Sequence, residues 1–473
     1  MTLARPRPTR PGAAATPAPA ELVRRLRSAY DAGTTRPLAW RRAQLQGVRR
    51  LLAERETELL GALAADLGKP ALEGWMTELR HVANEISGIL GHLERWSSPE
   101  RVPVRALLRP GRARVVPEPL GVVLVIAPWN YPLHLLLLPM VYALAAGNAV
   151  VGKPSEVAPA TAGALARLLP GYLDPAAVAI VEGGAEVANA LLDERWDHIF
   201  YTGNGRVGRA VMKAAARNLT PVTLELGGKS PAIVDASAAL DVAARRIAWG
   251  KLVNAGQTCV APDYVLVDRR VEQPFLDALA GSIRAFFGED PSRSADFGRI
   301  VDERHWDRLS GLLAGTAGRV VLGGAGDRAS RYLAPTVVRG VGWDDPLMGE
   351  EIFGPILPVI AVDALDDAIA GINAHDKPLA LYVFAQDQRA VDRVVAETSS
   401  GGVGVNVTLL HLAVADLPFG GVGASGMGAY HGKSGFDTFS HRKSVLHKPA
   451  RPDPPITYPP YTRIKQRLVR KVF

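Results

Sequence analysis

The sequence predicts an α/β fold, with a doubly wound parallel sheet followed by a second α/β unit. Short apolar runs alternate with amphipathic helical segments from residue 120 onward, which is the pattern of parallel strands connected by helices. A second alternating series follows residue 240. Of the 473 residues, 48% are hydrophobic and 22% are charged, an ordinary composition for a soluble globular chain of two or three domains.

The predicted elements follow one another in order along the chain. Residues 21–65 and about 72–96 place apolar groups at the spacing of amphipathic helices. The first series of buried strands is predicted at residues 121–127, 149–152, 178–183, 198–203, 222–226 and 231–235. The second series is predicted as a helix at 240–253, a strand at 264–268, a helix at 272–287, strands at 320–322 and near 356–362, a helix at 365–374 and a strand at 380–385. PGRARVVPE (110–118) is typical of a hairpin strand, and FDTFSHRKSVL (436–446) of a returning strand.

The net charge of +8 is confined to the two ends of the chain. Residues 1–20 carry +3 and residues 451–473 carry +5, so residues 21–450 are formally neutral. A neutral body offers no extended surface for phosphates, and no nucleic-acid partner is expected. No apolar run reaches the roughly 18 residues that span a bilayer. Residues 1–20 are a Pro/Ala-rich leader without the apolar segment of a secretory signal, so we expect a cytoplasmic protein.

Cys259, in NAGQTCVAPD (254–263), is the only cysteine in the sequence. A single thiol excludes an internal disulfide and a cysteine-based zinc site, and no metal site is predicted. A lone cysteine is more often a small buried hydrophobe than a nucleophile. The segments around it decide between these two interpretations.

Ligands of open α/β sheets bind beyond the carboxyl ends of the strands, and four segments are predicted at such ends. In PWNYP (128–132), two prolines fix the corner, and Asn130 either donates its amide to an oxyanion or only shapes the turn. In GKPSE (152–156), Lys153 and Glu156 either bind ribose hydroxyls or serve as helix-capping and surface charges.

The other two segments give conflicting predictions for Glu225. GNGRVG (203–208) matches the dinucleotide fingerprint, and Glu225 follows about 20 residues later, where a ribose ligand is expected. Glu156 competes for that role. In LELGGKS (224–230), Glu225 instead ends a buried strand, where a carboxyl group with a raised pKa suits a general base or belongs to a structural ion pair.

Six ordered segments resemble the aldehyde dehydrogenase superfamily: PWNYP, GKPSE, LELGGKSP, GQTCVAPDYVLV, EEIFGPILPV and LPFGGVGASGMGAYHGKSGFDTFSHRKSVL. The APDYVL continuation and the GMGAYHGK…FDTFSH ending resemble its class 3 branch, which includes fatty and aromatic aldehyde dehydrogenases. The resemblance covers about residues 21–448. It implies a Rossmann-like cofactor domain, a catalytic α/β domain and a small β oligomerisation element.

The resemblance also implies a role for each site residue. Cys259 matches the catalytic nucleophile, Glu225 the general base and Asn130 the side-chain donor of the oxyanion hole. The implied cofactor contacts are Lys153 and Glu156 at the adenosine ribose, Gly203 and Gly208 around the pyrophosphate, and Glu351 and Phe353 at the nicotinamide. NAD is the expected cofactor, with NADP tolerated. Gly152 departs from the family pattern, in which a larger apolar residue is usual.

The implied domains are a leader (1–20), a cofactor-binding domain (21–225, with a bridging hairpin near 110–118), a catalytic domain (226–430), an oligomerisation strand (431–448) and a Pro-rich linker with a basic helix (449–473). The expected assembly is a homodimer. Ile464, Leu468 and Val472 share one face of the basic helix. We expect that face to dock on the body or on the partner subunit, with contact to an anionic membrane as the less favoured alternative.

The implied activity is oxidation of a medium- or long-chain aliphatic or aromatic aldehyde to the carboxylic acid. Cys259 forms a thiohemiacetal in this scheme, and Glu225 activates the water that hydrolyses the thioester. Two alternatives stay open, a catalytically silent cofactor-binding protein of the same fold and a cofactor-free cysteine hydrolase. The sequence does not identify the aldehyde.

Overall fold

The computed structural model describes residues 18–105, 108–453, 455–456 and 458–472. Most of the predicted leader, residues 1–17, lies outside this range. Pro19 already begins the first helix, a position at which its fixed φ and missing N–H cost nothing.

The strands found in this part of the chain are β1 (Glu100–Val102), β2 (Arg112–Pro119), β3 (Val122–Ile126), β4 (Ala149–Lys153), β5 (Val178–Ile180), β6 (His198–Gly203), β7 (Val222–Leu226), β8 (Pro231–Val234), β9 (Tyr264–Asp268), β10 (Arg319–Leu322), β11 (Gly326–Asp327), β12 (Tyr332–Leu333), β13 (Thr336–Arg339), β14 (Ile356–Val362), β15 (Ala380–Phe384), β16 (Gly402–Val405), β17 (Gly426–Met427) and β18 (Ser440–His447).

The α-helices are α1 (Pro19–Asp31), α2 (Leu38–Glu54), α3 (Glu56–Leu67), α4 (Ala71–Gly74), α5 (His81–Ser97), α6 (His134–Ala146), α7 (Pro159–Leu168), α8 (Ala185–Leu192), α9 (Gly205–Ala215), α10 (Leu240–Leu252), α11 (Glu272–Phe287), α12 (Glu303–Gly315), α13 (Pro346–Gly349), α14 (Leu365–Asn373), α15 (Gln388–Glu397), α16 (Gly432–Thr438) and α17 (Arg463–Val472). A π-helical stretch, Trp75–Arg80, joins α4 to α5, so the predicted helix at 72–96 is continuous but locally widened.

The first sheet contains six strands in the order β17-β7-β6-β3-β4-β5, and only β17 runs antiparallel to its neighbour. β3 is buried along its whole length, as expected for a strand with helices on both faces of the sheet. α6 lies among the buried elements and is apolar on every side. The predicted doubly wound parallel sheet is therefore confirmed.

A seven-stranded sheet forms the second unit, in the order β10-β13-β14-β9-β8-β15-β16. All its pairs are parallel except β10 with β13. The sequence prediction missed β13 and β16, because four-residue strands give little periodicity and β16 contains two glycines, which weaken a strand signal. The predicted α/β fold with two such units is confirmed.

A separate three-stranded antiparallel sheet contains β1, β2 and β18. β18 pairs with β2 over eight residues, from Ser440 opposite Pro119 to His447 opposite Arg112, and forms one edge of this sheet. Most of its residues are exposed. The opposite edge strand, β1, has only three residues.

The returning strand predicted at 436–446 begins later than expected. Its first three residues end α16, and the strand starts at Ser440. Phe436 and Phe439 are both buried at a spacing of three residues, which suits one helix face rather than one face of a strand. The strand predicted at 178–183 also ends early, at Ile180.

The C-terminal helix α17 exposes two of its apolar side chains in the isolated chain. Ile464 is 72% exposed and Leu468 is 46% exposed. The expected docking of this face on the body of the same chain is therefore not observed. Within the described residues, no helix has both the length and the apolar character needed to cross a membrane.

Candidate active site

Four neighbouring parallel strands carry the four segments that the sequence analysis selected. β4, β3, β6 and β7 lie side by side and run in the same direction, so GKPSE, PWNYP, GNGRVG and LELGGKS all leave the same edge of the first sheet. Carboxyl ends of adjacent parallel strands form the usual ligand crevice of such sheets.

The loop before Cys259 has an unusual backbone. Asn254, Ala255 and Gly256 have φ values of 54°, 52° and 78°, so three successive residues adopt the left-handed region. For the two non-glycine residues this conformation is uncommon and requires support from the surrounding structure. A Cβ at Gly256 would collide with the carbonyl of Gly354, so the glycine lets the EEIFGP loop approach the cysteine loop.

Gln257 holds this loop in place. Its side chain is buried and donates to the carbonyls of Asn254 (2.9 Å) and Arg299 (3.0 Å), while its Oε1 accepts from the backbone N–H of Val301 (2.9 Å). Both polar atoms of the Gln257 amide form hydrogen bonds to backbone groups, and these bonds fix the position of the loop that carries Cys259.

Asn130 lies directly against the cysteine loop. Its Nδ2 donates to the Gln257 carbonyl at 3.0 Å, and the side chain is 2% exposed. The amide nitrogen carries two hydrogens, so one N–H remains for a ligand. The Asn130 Oδ1 is buried and has no hydrogen-bond partner among the described residues. The amide predicted from PWNYP is thus brought next to the segment that carries the thiol.

Cys259 is partly buried, and its thiol is in the neutral form in this environment. Burial raises the pKa of Cys259 to about 12, and the nearby carboxyl groups of Glu351 and Glu225 add to the rise. The thiol therefore needs either a base or the arrival of positive charge before it becomes nucleophilic.

Glu225 lies at the end of β7 and is 2% exposed. Neither of its carboxylate oxygens has a hydrogen-bond partner in the part of the chain that the structure describes. Burial raises its pKa well above the usual value, and no charged partner lowers it. No described cation pairs with Glu225, which contradicts the ion-pair interpretation. Its carboxyl group contributes to the raised pKa of Cys259, which favours the general-base interpretation over the ribose-ligand one.

Glu351 lies against the two glycines that follow β7. A Cβ at Gly227 would collide with the Glu351 carboxyl group, so the glycine leaves room for it. Burial raises the pKa of Glu351 to about 8, and the charge of Asp263 contributes. Phe353, with a positive φ of 50°, packs edge-on against Trp129 with ring centroids 5.3 Å apart. Both residues therefore belong to the same surroundings as Asn130 and Cys259.

Lys153 and Glu156 form a pair at the end of β4. Lys153 is 3% exposed, and its Nζ donates to Glu156 Oε2 (2.9 Å) and to the Pro154 carbonyl (3.1 Å). The Glu156 side chain is about half exposed. Partial burial alone would raise the pKa of Glu156, but the hydrogen bond and charge of Lys153 outweigh it and lower that pKa. A cation and an ionised acid thus stand together at the predicted ribose position.

Gly203 and Gly208 shape the turn between β6 and α9. A Cβ at Gly203 (φ 159°) would collide with the Tyr201 hydroxyl, and one at Gly208 would lie 3.0 Å from Leu226. Asn204 caps α9, its Oδ1 accepting from the Val207 N–H at 3.0 Å. The start of α9 is therefore held close to β7, and its first-turn N–H groups point out of the sheet edge, where a helix N-terminus suits an anion.

Gly152 explains one departure from the family pattern. A Cβ at this position would lie 2.7 Å from Met140 Sδ and 2.8 Å from Ile180 Cδ1. These two side chains occupy the space that a larger residue would need, so the substitution is compensated within the core.

Two buried ionic groups at the site were missed by the sequence analysis. Asp263 accepts from Lys229 Nζ (2.5 Å) and from the Ile352 N–H (3.0 Å), and so connects the LELGGKS, CVAPD and EEIFGP segments. Lys69 and Glu78 form the second group, a buried ion pair beneath Asn130. The Lys229–Asp263 pair could have been suspected from the sequence, because both residues lie within the selected segments. Glu78 lies in a helical stretch outside those segments, so the sequence gave no signal for the Lys69–Glu78 pair.

Comparison with known proteins agrees with this geometry. The family model described as the aldehyde dehydrogenase family matches residues 13–445. The chain is 47% identical over 442 residues to the dimeric NADP-preferring aldehyde dehydrogenase of Canis lupus familiaris, covering 93% of this chain and 97% of the relative. It is 50% identical over 426 residues to aldehyde dehydrogenase family 3 member B1 of Homo sapiens, covering 90% and 91% of the two chains.

Solved structures give the same result. The substrate-bound state of Staphylococcus aureus AldH superimposes with a TM-score of 0.94 at 42% identity, covering 96% of this chain and 98% of that one. An indole-3-acetaldehyde dehydrogenase in complex with NAD⁺ gives a TM-score of 0.82 at 28% identity, covering 91% and 88%. With the thiol, the amide and the buried carboxyl groups gathered at one sheet edge, these matches establish that the chain belongs to the aldehyde dehydrogenase family, within its class 3 branch.

Proposed function

We propose that this protein oxidises an aldehyde to the carboxylic acid with NAD(P), using Cys259 as nucleophile, Asn130 as oxyanion donor and Glu225 as general base. The observation that carries these roles is the unpartnered, buried Glu225 carboxyl group in the surroundings of the single thiol. Family membership supports the reaction class. The two alternative functions, a silent binding protein and a cofactor-free hydrolase, have no support from the comparisons.

The first step is attack of the Cys259 sulfur on the aldehyde carbon. The carbonyl oxygen gains negative charge, and the free N–H of the Asn130 amide and the backbone N–H of Cys259 stabilise it. Asn130 can hold this position without rotating, because its other N–H already donates to Gln257. The thiol proton leaves to a base or to water as the S–C bond forms.

The cofactor residues fit a dinucleotide. Lys153 and Glu156 offer a donor and an acceptor for ribose hydroxyls, and the start of α9 suits the pyrophosphate. Glu351 lies against Gly227 and contributes to the raised pKa of Cys259. A nicotinamide held by Glu351 and Phe353 would supply the hydride acceptor for the adduct carbon. Glu156 favours free ribose hydroxyls over a 2′-phosphate, so we infer a preference for NAD, with NADP tolerated because Lys153 offsets part of the repulsion.

Glu225 acts in the second half of the reaction. Burial raises the pKa of the Glu225 carboxyl group, which makes its ionised form a stronger proton acceptor. It takes a proton from the water that attacks the Cys259 thioester, and the acid then leaves.

The aldehyde is proposed to be apolar, aliphatic or aromatic. Tyr131 hydrogen-bonds to the Thr258 hydroxyl at 2.7 Å, next to Cys259, and Tyr430 packs on Phe200 and on Phe419. Aromatic side chains around a thiol favour an apolar substrate group.

We also propose a homodimer in which β18 of one subunit continues the sheet of the other. An eight-residue edge strand with exposed residues is a template for another strand. The dimeric state named for the canine relative supports this assembly.

A direct test follows reduced cofactor by its absorbance after an aldehyde is added, together with mass spectrometry of the acid. Turnover with NAD or NADP that disappears in Cys259→Ala supports the proposal. Acid formed from a thioester or ester without cofactor, and none from the aldehyde with it, would favour the hydrolase instead.

A further inference from the structure

Three histidines from distant parts of the sequence meet beside the candidate active site. His81 begins α5, His134 begins α6 and His431 precedes α16. Each histidine contributes one ring nitrogen to the cluster, and these three nitrogens all lie within 4.8 Å of one another. The ring centroids of His81 lie 4.5 Å from His134 and 5.7 Å from His431.

Several ring nitrogens of this cluster lack a hydrogen-bond partner among the described residues. Within the described residues, His81 Nε2, His134 Nε2 and both ring nitrogens of His431 are buried and lack a hydrogen-bond partner. Buried polar atoms without a partner are rare, and four of them in one place require an explanation. The neutral form of an imidazole, which each of these rings can adopt, is the form that binds metal.

The nearest carboxyl groups are already engaged. Glu78 pairs with Lys69 and accepts from the His134 backbone N–H (3.3 Å), and Glu85, one turn beyond His81, accepts from the Tyr142 hydroxyl. Among the described residues, the cluster therefore offers one imidazole nitrogen from each histidine and no carboxylate oxygen that is free to bind an ion. Such a set suits borderline ions such as Zn²⁺, Co²⁺, Ni²⁺ and Cu²⁺, and does not suit Mg²⁺ or Ca²⁺.

We propose that His81, His134 and His431 form a three-histidine binding site for one divalent transition-metal ion, distinct from the catalytic thiol. Three nitrogens around a tetrahedral ion, each about 2.1 Å from it, lie roughly 3.4 Å apart, so small side-chain rotations close the set. A water or another small ligand completes the coordination. The ion joins α5, the loop after Asn130 and the segment after Tyr430, and stabilises their contact.

The test uses Co²⁺ as a spectroscopic probe on the full-length chain. Cys259→Ser serves as the background, because the thiol would otherwise bind the ion itself. The chelator-treated protein is titrated with Co²⁺ and followed by visible absorption, with Zn²⁺ competition and thermal unfolding as second readouts. We expect one Co²⁺ ion to bind per chain, Zn²⁺ to displace it, and the midpoint temperature of unfolding to rise when the ion is bound.

His81→Asn and His431→Asn remove one ligand each. Asn tolerates the positive φ of 76° at position 431, so that variant should keep the backbone. Each should weaken Co²⁺ binding by at least about 100-fold, since even outer-shell partners of a metal site cost about 10–100-fold. His92→Asn, on the same helix as His81 but outside the cluster, should bind as the background does. Cofactor binding confirms that each variant is folded.

Two results would overturn the proposal. One is a Cys259→Ser protein that takes up no Co²⁺ at a one-to-one ratio. The other is equal uptake by the folded His81→Asn/His431→Asn double variant, which would place the ion elsewhere.

Discussion

Lys69 and Glu78 form a fully buried ion pair directly under Asn130. The Lys69 ammonium also donates to the Asn130 carbonyl at 3.1 Å, and Glu78 Oε2 accepts from the Leu133 N–H at 2.9 Å. The pair thus holds both ends of the loop that presents Asn130, the proposed oxyanion donor. A buried pair is weak support for stability by itself, but breaking it leaves an uncompensated charge.

The first prediction concerns this pair. Lys69→Met should destabilise the protein by about 3–5 kcal/mol, because Glu78 is then buried without its partner. Lys69→Met/Glu78→Leu should unfold at a higher temperature than Lys69→Met and still show a lowered kcat, since the loop has lost its anchor. Calorimetry and steady-state kinetics measure the two effects, and cofactor affinity should change little. An unaltered kcat in the double variant would mean that the pair does not position Asn130.

The second prediction separates the two halves of the reaction. Glu225→Gln keeps the shape of the side chain but cannot take a proton from water. We expect a burst of reduced cofactor, roughly one per site, followed by turnover slowed about 10²–10⁴-fold. Rapid-mixing absorbance measures the burst, and mass spectrometry should find the acyl group on Cys259. If the burst also vanishes while the cofactor still binds, Glu225 is required to activate the thiol.

The third prediction uses the pKa of the thiol. Above a pH of about 8, Glu351 is ionised, and its negative charge helps to raise the pKa of Cys259. Glu351→Gln removes that charge, lowers the thiol pKa and should accelerate alkylation of Cys259 by iodoacetamide above this pH. Well below it the carboxyl group is protonated, so the difference should disappear. Glu350→Gln, its exposed neighbour, is the matched control. A slower reaction at high pH would show that Glu351 does not repel the thiolate.

The fourth prediction concerns cofactor choice. Glu156→Gln should raise kcat/KM for NADP relative to NAD by about two- to five-fold, a range set by the ~1 kcal/mol that a half-exposed charge contributes. Part of the change should come from a lower kcat/KM for NAD, because the amide of the Gln variant is a weaker hydrogen-bond acceptor for ribose hydroxyls than the Glu156 carboxylate. Kinetics with both cofactors measure the ratio, with Glu289→Gln as an exposed control. A shift toward NAD would contradict the assignment of Glu156.

The fifth prediction tests the dimer. Leu446 on β18 is 54% exposed in the isolated chain, as expected for a side chain that a partner covers. Leu446→Glu should shift the protein toward monomer in sedimentation experiments at micromolar concentration. Leu219→Glu, at a residue that is 90% exposed and away from this sheet, should leave the dimer intact. A wild-type protein that sediments as a monomer would remove the basis of this prediction.

The strands that end in the site were predictable because each is a continuous apolar run followed by Gly, Pro or a polar residue. Asn130 was selected in this way, whereas Cys259 was selected as the only cysteine of the sequence, and the roles of both came from the family resemblance. The meeting of His81, His134 and His431 was not predictable, because no sequence pattern links residues that lie 53 and 297 positions apart. The same holds for Lys69 and Glu78, whose burial depends on how helices pack and not on their own sequence pattern.

The conflict over Glu225 shows a second limit. The GNGRVG match and the strand-end position gave opposite roles. The absence of a described cation beside the carboxyl group removes only the ion pair, and its contribution to the pKa of Cys259 favours the base over the ribose ligand. The start of β18 was misplaced for a related reason. FDTF has strand-forming residues, but Gly435 allows a close approach to the Tyr142 ring, and this packing favours a helix.

Pairing of β17 with β7 has a consequence for biosynthesis. Gly426 lies opposite Glu225, so the strand that holds the base gains its last neighbour from a segment about 200 residues further along the chain. The Asn148 amide likewise donates to the Phe439 carbonyl at 2.9 Å. A nascent chain still attached to the ribosome can form most of the first sheet early, but it cannot finish that sheet until its C-terminal segment emerges. We therefore expect a chain that ends before Gly426 to be inactive, because it would leave an open sheet edge beside Glu225.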